Sequence, residues 1–197
     1  MAVQSTFKNM VLCLLVICSV CSALLAGVYA VTKAPIEAAA AAKTNNAISQ
    51  VVPEFEGEPV YGTVEVDGKS YGYYTVSKGG EVVAYAILTS STGFSGPLEL
   101  MVGVTVKGII YNTSVLAQSE TPGLGAKCVE PKFASQFVNF NPYEKKLQVK
   151  KDGGDIDAIT ASTITSRAYA AALNNAMAAF HKIAGHAAWD SATGASN

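Results

Sequence analysis

The hydrophobic pattern divides the chain into one long apolar run and a longer region of short mixed segments. Residues 11–31 contain no charged side chain and are almost wholly apolar. A helix over this run is about 31 Å long at 1.5 Å per residue, which matches the hydrocarbon core of a bilayer. Lys8 and Lys33 lie beyond its two ends, as interfacial anchors would. The pattern predicts a short tail over residues 1–10 followed by a transmembrane helix in the lipid bilayer.

A cleaved secretory signal is the alternative interpretation of the same run. Val28-Tyr29-Ala30 has the small residues of a cleavage site. The run is longer than the roughly 7–15 residues of a signal's apolar region, and each of its cysteines follows a bulky residue, where lipid attachment requires a small one. We therefore favour an uncleaved anchor. Lys8 faces Lys33 and Lys43 across the span, so charge leaves its orientation open.

After the apolar run the pattern changes from helical to β-type. Pro35–Gln50 carries a run of alanines, the strongest helix formers, and predicts a helical linker over residues 32–53. Short runs rich in Val, Ile, Tyr and Thr follow, separated by turn residues. They predict an antiparallel meander with strands at Val60–Val66, Ser70–Ser77, Val82–Leu88, Leu98–Val106 and Gly108–Val115.

The last third of the chain is predicted to be mainly helical. Lys132–Phe140 predicts a short helix with an aromatic face, Leu147–Lys150 a further strand, and Thr163–Ile183 a long helix. Small and polar residues predict a flexible tail over residues 186–197. We therefore predict an α+β domain over residues 54–185, with helices packed on an antiparallel sheet.

Charge, cysteine and histidine content exclude several functions. The chain has 14 Lys and Arg against 15 Asp and Glu without a basic run, which argues against a nucleic-acid partner. Cys128 is the only cysteine outside the apolar run, so no spacing indicates a zinc or iron–sulfur site. His181 and His186 are five residues apart, which does not place both on one helix face. We therefore predict surface histidines and no metal site.

Residues 160–166 contain five hydroxyl side chains at the point where a loop enters the last predicted helix. Free amide groups and the helix dipole make such a point a natural anion site. A hydroxyl there could bind a phosphate or be joined to one. Ordinary helix capping by Thr160, Ser162 or Thr163 is the alternative.

A second segment, Glu120–Gly125, combines a proline that fixes one backbone angle with glycines that let backbone approach a flat ligand. Taken alone it is a proline–glycine turn. Together the two segments resemble the FMN-binding subunits of the Rnf and Na⁺-translocating NADH:quinone reductase complexes. Those proteins have an N-terminal transmembrane helix, a Glu-Thr-Pro-Gly-Leu-Gly segment and a Ser/Thr-Gly-Ala-Thr signature before a helix. Thr32–Ile36, Gly93–Leu98 and Met101–Gly103 extend the match, and the short chain favours the Rnf family member.

The resemblance implies FMN joined to Thr163 by a phosphoester. In this family a flavin transferase moves FMN from FAD onto the last threonine of the signature, the position that Thr163 holds. Ala161 and Ser162 stand where the family has glycine and alanine, and Gln118 where it has histidine. Ser162 or Thr165 is the alternative acceptor. No residue is expected to be catalytic, and the residues expected to bind FMN are Thr163, Thr160, Ser162, Thr165, Glu120, Thr121, Gly123, Leu124 and Gly125.

The resemblance also implies partners and a location. An Rnf protein of this kind carries electrons between reduced ferredoxin and NAD, coupled to Na⁺ or H⁺ movement. Its partners are multispan membrane subunits and iron–sulfur and flavin subunits. A single span anchors it in the inner membrane of a bacterium, with the domain outside the cytoplasm. Two alternatives stay open, namely a free-standing anchored flavoprotein with another redox partner and a non-redox anchored scaffold.

Overall fold

The computed structural model describes residues 7–186, 189–190 and 195–196, and the chain divides into two compact units, residues 1–43 and 44–197. Helix α1 spans Phe7–Val51 and includes Pro35 without a break. Its apolar part reaches a mean hydropathy of 2.7, and none of that stretch is buried. The predicted span at 11–31 therefore lies within a longer helix, because the helix formers on both sides of Pro35 tolerate one lost backbone bond.

A five-stranded antiparallel sheet with sequential strand order forms the centre of the second unit. Each strand joins the next through a short turn, and this connectivity confirms the predicted meander. The strands are β1 Glu56–Val66, β2 Lys69–Lys78, β3 Glu81–Thr92, β4 Pro97–Thr105 and β5 Ile110–Ala117.

Both faces of this sheet are covered by helix, and β4 is buried on both. Helix α3, Thr163–Ile183, packs on one face, where Leu98, Leu100 and Val102 join its core. On the other face Met101 packs with Ile48 and Val51, which belong to the last turns of α1. Side chains alternate between the faces of a strand, which explains why successive β4 residues belong to different cores. The second unit accordingly begins at Thr44, earlier than the predicted domain start at residue 54.

The segment between the sheet and α3 is less regular than predicted. Helix α2 spans only Pro131–Ala134 and continues as a 3₁₀ turn at Ser135–Phe137, so the predicted helix over Lys132–Phe140 is too long. The aromatic face was correctly predicted, because Phe133, Phe137 and Phe140 are all buried. The predicted strand at Leu147–Lys150 is wrong, since Val149 makes a single bridge to Ile156 and a 3₁₀ turn follows at Lys150–Asp152.

Helix α3 begins and ends at the predicted residues, and Gly185 follows it with a φ of +69°. Beyond it, β6 at Trp189–Asp190 pairs with β7 at Ala195–Ser196. The remainder of the predicted tail lies outside the described residues. A meander with helices on both faces confirms the α+β class.

Candidate functional site

The two segments singled out by sequence meet in one cleft. The cleft has a volume of about 360 Å³ and lies between the Glu120–Gly125 loop and the first turn of α3. A larger groove of about 760 Å³ along β2–β4 contains none of the predicted site residues. The residues that line the cleft are Phe94, Glu120, Thr121, Leu124, Gly125, Ala161, Ser162, Thr163, Ile164 and Thr165.

Seven of the nine predicted site residues line this cleft, and two do not. Gly123 forms the tip of its loop, with a φ of +78° and open space beside it. Thr160 faces a separate cavity of about 270 Å³ next to Phe133 and Gln136. Phe94, Ala161 and Ile164 line the cleft without having been predicted to bind a ligand. The Gly93–Leu98 family pattern was the only sequence signal for Phe94.

The Glu120 carboxylate joins three segments beneath the cleft. Its Oε1 accepts bonds from the backbone N–H groups of Phe94 at 2.8 Å and Ser95 at 3.2 Å. Its Oε2 accepts a bond from the Thr165 hydroxyl at 2.6 Å. Glu120 is 6% exposed and Thr165 is 1% exposed. We call the Glu120 and Thr165 side chains and the two backbone amides the Glu120 network. Its hydrogen bonds hold the three segments together beneath the cleft.

Two glycines make room for this carboxylate. A Cβ on Gly93 would collide with Glu120 Oε1, and a Cβ on Gly125 would collide with Glu120 Oε2. The Gln118 side chain accepts the backbone N–H of Glu120 at 2.7 Å and fixes the start of the loop. The sequence predicts that the loop glycines let the backbone approach a flat ligand. At Gly125 the absence of a side chain also leaves space for the Glu120 carboxylate and the Thr165 hydroxyl.

Thr163 is the first residue of α3 and lies partly exposed at the cleft. Its hydroxyl accepts a bond from Lys151 Nζ at 3.3 Å. The side chain of the preceding residue, Ser162, makes no capping bond, so the capping alternative is wrong for Ser162. The first amide groups of a helix have no acceptor within the helix and form its positive end. Thr163 is thus a hydroxyl at an anion-attracting position.

The loop before Thr163 is shaped by one serine and one strained residue. Ser166 Oγ accepts the Ile159 N–H at 2.9 Å and donates to the Ser162 carbonyl at 3.0 Å. Ala161 has a φ of +60°, a left-handed conformation that glycine adopts more readily. The resemblance places glycine at this position, and the backbone conformation explains that preference. The tight turn presents Thr163 to the cleft.

The 3₁₀ turn Lys150–Asp152 contacts this loop and helix with all three of its side chains. Lys150 Nζ lies 2.7 Å from Asp157 Oδ1. Lys151 donates to Thr163, and Asp152 accepts two bonds of 2.7 Å from the Arg167 guanidinium. Arg167 holds the pKa of Asp152 below its usual range through these bonds. Three consecutive residues thus reach the segment that carries the candidate acceptor.

Two buried groups behind the cleft have raised pKa values and are therefore uncharged. Burial and the nearby Glu120 carboxylate raise the pKa of Cys128 to about 11, which keeps it a neutral thiol. Burial also raises the pKa of Tyr169, whose hydroxyl lies 2.7 Å from Thr113 Oγ1. Cys128 therefore acts as a small core residue, as the sequence predicts.

The prediction of a surface position is wrong for His181. Its side chain is 2% exposed, and its Nε2 lies 3.1 Å from the Tyr143 hydroxyl. Its ring also packs against Trp189 and His186, with centroids 5.3 and 5.5 Å away. The end of α3 is covered by these aromatic rings, which sequence spacing could not show. Within the described part of the chain, no group of three His, Cys, Asp or Glu could hold a metal ion.

Comparison with known proteins gives matches over both ends of the chain. Residues 93–178 match the FMN-binding domain and residues 1–51 the RnfG N-terminal region. The G subunit of the ion-translocating oxidoreductase complex of Methanosarcina acetivorans is 33% identical over 182 residues, 90% of this chain and 96% of that protein. The G subunit of the Haemophilus influenzae complex is 35% identical over 75% of this chain and 77% of its own length.

Among solved structures, the C subunit of the Na⁺-translocating NADH-quinone reductase of Parabacteroides distasonis has a TM-score of 0.42 and 26% identity, covering 59% of this chain and 60% of that one. The sequence match to the FMN-binding domain includes both segments that form the cleft.

Proposed function

Because the chain belongs to the family of G subunits of ion-translocating oxidoreductase complexes, we propose that it is the electron-transfer subunit of such a complex and carries FMN covalently on Thr163. The observation that carries this proposal is the meeting of the Glu120–Gly125 loop and the Thr163 hydroxyl in one cleft. Electrons pass through the protein between ferredoxin and NAD, and other subunits couple that transfer to Na⁺ or H⁺ movement.

The residues of the cleft fit the two parts of FMN. A planar ring system needs an apolar slot, and Phe94, Leu124 and Ile164 line the cleft with 68%, 43% and 50% of their surface exposed. Covering such side chains with a ring removes apolar surface from water, which is favourable. A phosphate needs donors and positive charge, which Lys151 and the first amides of α3 supply beside Thr163.

The chain's own residues attach and orient the cofactor. Bound FMN supplies the redox chemistry, and the protein supplies attachment, orientation and electrostatics. Thr163 would form the phosphoester, and Leu124 and Ile164, which line the cleft, would contact the ring. Glu120 and Thr165 act beneath them as positioning residues, because their polar atoms bond to each other and to the backbone. Thr121 and Thr165, the candidates for polar contacts to FMN, both line the cleft.

Attachment is a phosphoryl transfer carried out by a separate flavin transferase. The Thr163 Oγ1–P bond forms, and the pyrophosphate P–O bond of FAD breaks. AMP leaves with the bridging oxygen, and the hydroxyl proton is released. A covalent link suits a carrier with a cleft at the surface, because it prevents dissociation of the cofactor.

The apolar part of α1 supports the proposal that the chain is a single-pass membrane protein. The charge-free segment is long enough for a bilayer, and none of its most apolar stretch is buried in protein. By resemblance, we assign the FMN-binding domain to the outside of the cytoplasmic membrane. Multispan, iron–sulfur and flavin subunits are the proposed partners. Their co-purification in mild detergent would distinguish a complex from a free-standing flavoprotein.

Fluorescence after denaturing electrophoresis tests the covalent link. Protein made with the flavin transferase should give a fluorescent band, and peptide mass mapping should locate FMN on the Thr163 peptide. Thr163→Ala should abolish the fluorescence. Thr160→Ala is the matched control, because it removes a hydroxyl from the same loop but outside the cleft.

Two outcomes would contradict the assignment in different ways. Fluorescence that survives Thr163→Ala would move the attachment to Ser162 or Thr165. A dark wild-type band from cells that contain the transferase would refute the covalent flavoprotein and favour the anchored scaffold.

A further inference from the structure

We propose that Lys151 is the phosphate-binding residue of the site, and that Lys150 and Asp152 hold it in position. The inference rests on the proposed function, because the phosphate in question is the one that Thr163 would carry. It concerns a surface turn that neither motif includes. Lys151 lies outside both the Glu120–Gly125 loop and the hydroxyl-rich segment.

The turn Lys150–Asp152 is built so that its middle side chain meets the acceptor hydroxyl. The outer two residues form ion pairs, Lys150 with Asp157 and Asp152 with Arg167, all at 2.7 Å. Asp157 opens the loop before Thr163, and Arg167 lies one turn beyond it on α3. The two pairs therefore fix the turn on either side of Thr163. Between them, Lys151 Nζ lies 3.3 Å from Thr163 Oγ1.

The positive charges around Thr163 favour the binding of an anion. The N-terminal end of a helix carries partial positive charge, so an ammonium group placed there is repelled unless a negative group intervenes. In the described part of the chain no carboxylate forms an ion pair with Lys151. Its sequence neighbour Asp152 gives both carboxylate oxygens to Arg167 and interacts with Lys151 only through its charge, without a hydrogen bond. A phosphodiester on Thr163 would supply the missing negative charge between the ammonium group and the helix end.

Lys151 has the chemistry to act both during attachment and afterwards. As an ammonium group it has only N–H donors, so it cannot take the proton that leaves Thr163. It can donate to phosphate oxygens while the Thr163 O–P bond forms and the P–O bond to AMP breaks. After the transfer, the same donors neutralise the phosphodiester. The role is recognition of negative charge, so the charge of the side chain matters more than its shape.

The test is a time course of FMN attachment to the full-length, unmodified protein in detergent. Purified flavin transferase and FAD are added, and intact mass reports the modified fraction. Lys151→Met should slow attachment about tenfold, the effect expected for a lost bond to a charged group. Lys146→Met is the matched control, because it removes the same charge from an exposed position outside the turn, and it should attach FMN at close to the wild-type rate. Lys151→Arg should retain most of the rate.

Salt separates an electrostatic role from a structural one. The ratio of the wild-type rate to the Lys151→Met rate should approach one in about 1 M salt, where exposed charges are screened. Thermal unfolding of both unmodified proteins should coincide, since Lys151 is exposed. Lys151→Gln provides a second neutral variant.

Equal attachment rates for wild type and both neutral variants at low salt would overturn the role of Lys151 and leave the proposed function intact. A wild-type protein that never gains FMN would overturn both.

Discussion

The cleft is held on one side by a buried network and on the other by contacts at the surface. In the Glu120 network a carboxylate that is 6% exposed accepts bonds from two backbone amides and one buried hydroxyl. In the Lys150–Asp152 turn the corresponding bonds are charged and half exposed, with side-chain exposures of 52% for Arg167 and 38% for Asp152. Both sets orient the start of α3, but water reaches only the second.

This difference separates stability from recognition of charge. A buried donor that loses its acceptor cannot turn to water, so each bond lost from the Glu120 network is expensive. An exposed ion pair contributes little to stability and weakens with salt. We therefore expect substitutions of Glu120 to loosen the whole site. Substitutions in the Lys150–Asp152 turn should leave the fold intact and weaken the binding of an anion at the site.

The largest effect is expected for Glu120→Ala. It leaves the amides of Phe94 and Ser95 and the Thr165 hydroxyl without their acceptor, and the stability should fall by about 3 kcal/mol. Urea denaturation of the detergent-solubilised protein measures the change. Glu144→Ala, at an exposed position, should stay within about 0.5 kcal/mol of wild type. A loss below about 1 kcal/mol for Glu120→Ala would remove the proposed contrast between the two sides.

Gly125→Ala should cost about 2 kcal/mol, because its new Cβ enters the space of the Glu120 carboxylate. Part of that loss should disappear when Glu120 is already alanine, whereas the contact of the new Cβ with the Thr165 hydroxyl remains. Gly123→Ala is the control from the same loop, where the added Cβ meets open space but the positive φ costs about 1 kcal/mol. Its cost should be equal in both backgrounds. Strictly additive losses for Gly125 and Glu120 would contradict the packing argument.

Ala161→Gly should raise stability by about 0.5 kcal/mol. Glycine relieves the left-handed backbone at this position, although it also gives the unfolded chain more freedom. Ala158→Gly, in the same loop without a positive φ, should lower stability by about 0.5 kcal/mol. Thermal unfolding of the two variants against wild type shows the signs. Destabilisation by both substitutions would show that Ala161 is not strained.

The smallest effect on stability is expected for Asp152→Asn, and it should depend on pH. Arg167 lowers the pKa of Asp152 in the folded protein, so the pair stabilises the fold above the unfolded pKa of about 3.9. That contribution is lost as the pH falls through the lower, folded pKa. The variant should therefore melt slightly earlier than wild type at pH 7, and the difference should disappear once the pH is below the folded pKa of Asp152. An unchanged difference in acid would exclude the ion pair as its cause.

The regular elements could be predicted because their pattern reflects burial. Helix α3 has its predicted bounds because small and apolar residues recur along its buried face. The strands follow the β-prone runs and extend past several of their predicted ends. The prediction of a strand at Leu147–Lys150 was wrong, because a short apolar run is also compatible with a single bridge followed by a turn. Pro35 predicted the start of a helix. Instead α1 continues through Pro35, because the residues on both sides of it are strong helix formers.

The site was predictable in its parts and not in its contacts. The two motifs meet as expected, but Thr160 faces away because the left-handed turn at Ala161 separates it from Thr163. Glu120 lines the cleft, and the sequence could not show that three donors converge on its carboxylate. Lys151 is one of several lysines between residues 145 and 151. Only the structure shows that it is the lysine that contacts Thr163.

The burial of Ile48 and Val51 against the sheet also determines where the chain can be cut. A Cβ on Gly103 would collide with the carbonyl of Val51, so the last turn of α1 lies directly on β4. A protease or an engineered start codon at residue 54 would strip one face of the sheet and expose Ala84, Ala86 and Met101. A cut before Thr44 would spare this layer. A water-soluble version of the domain should therefore keep its residues from Thr44 onwards.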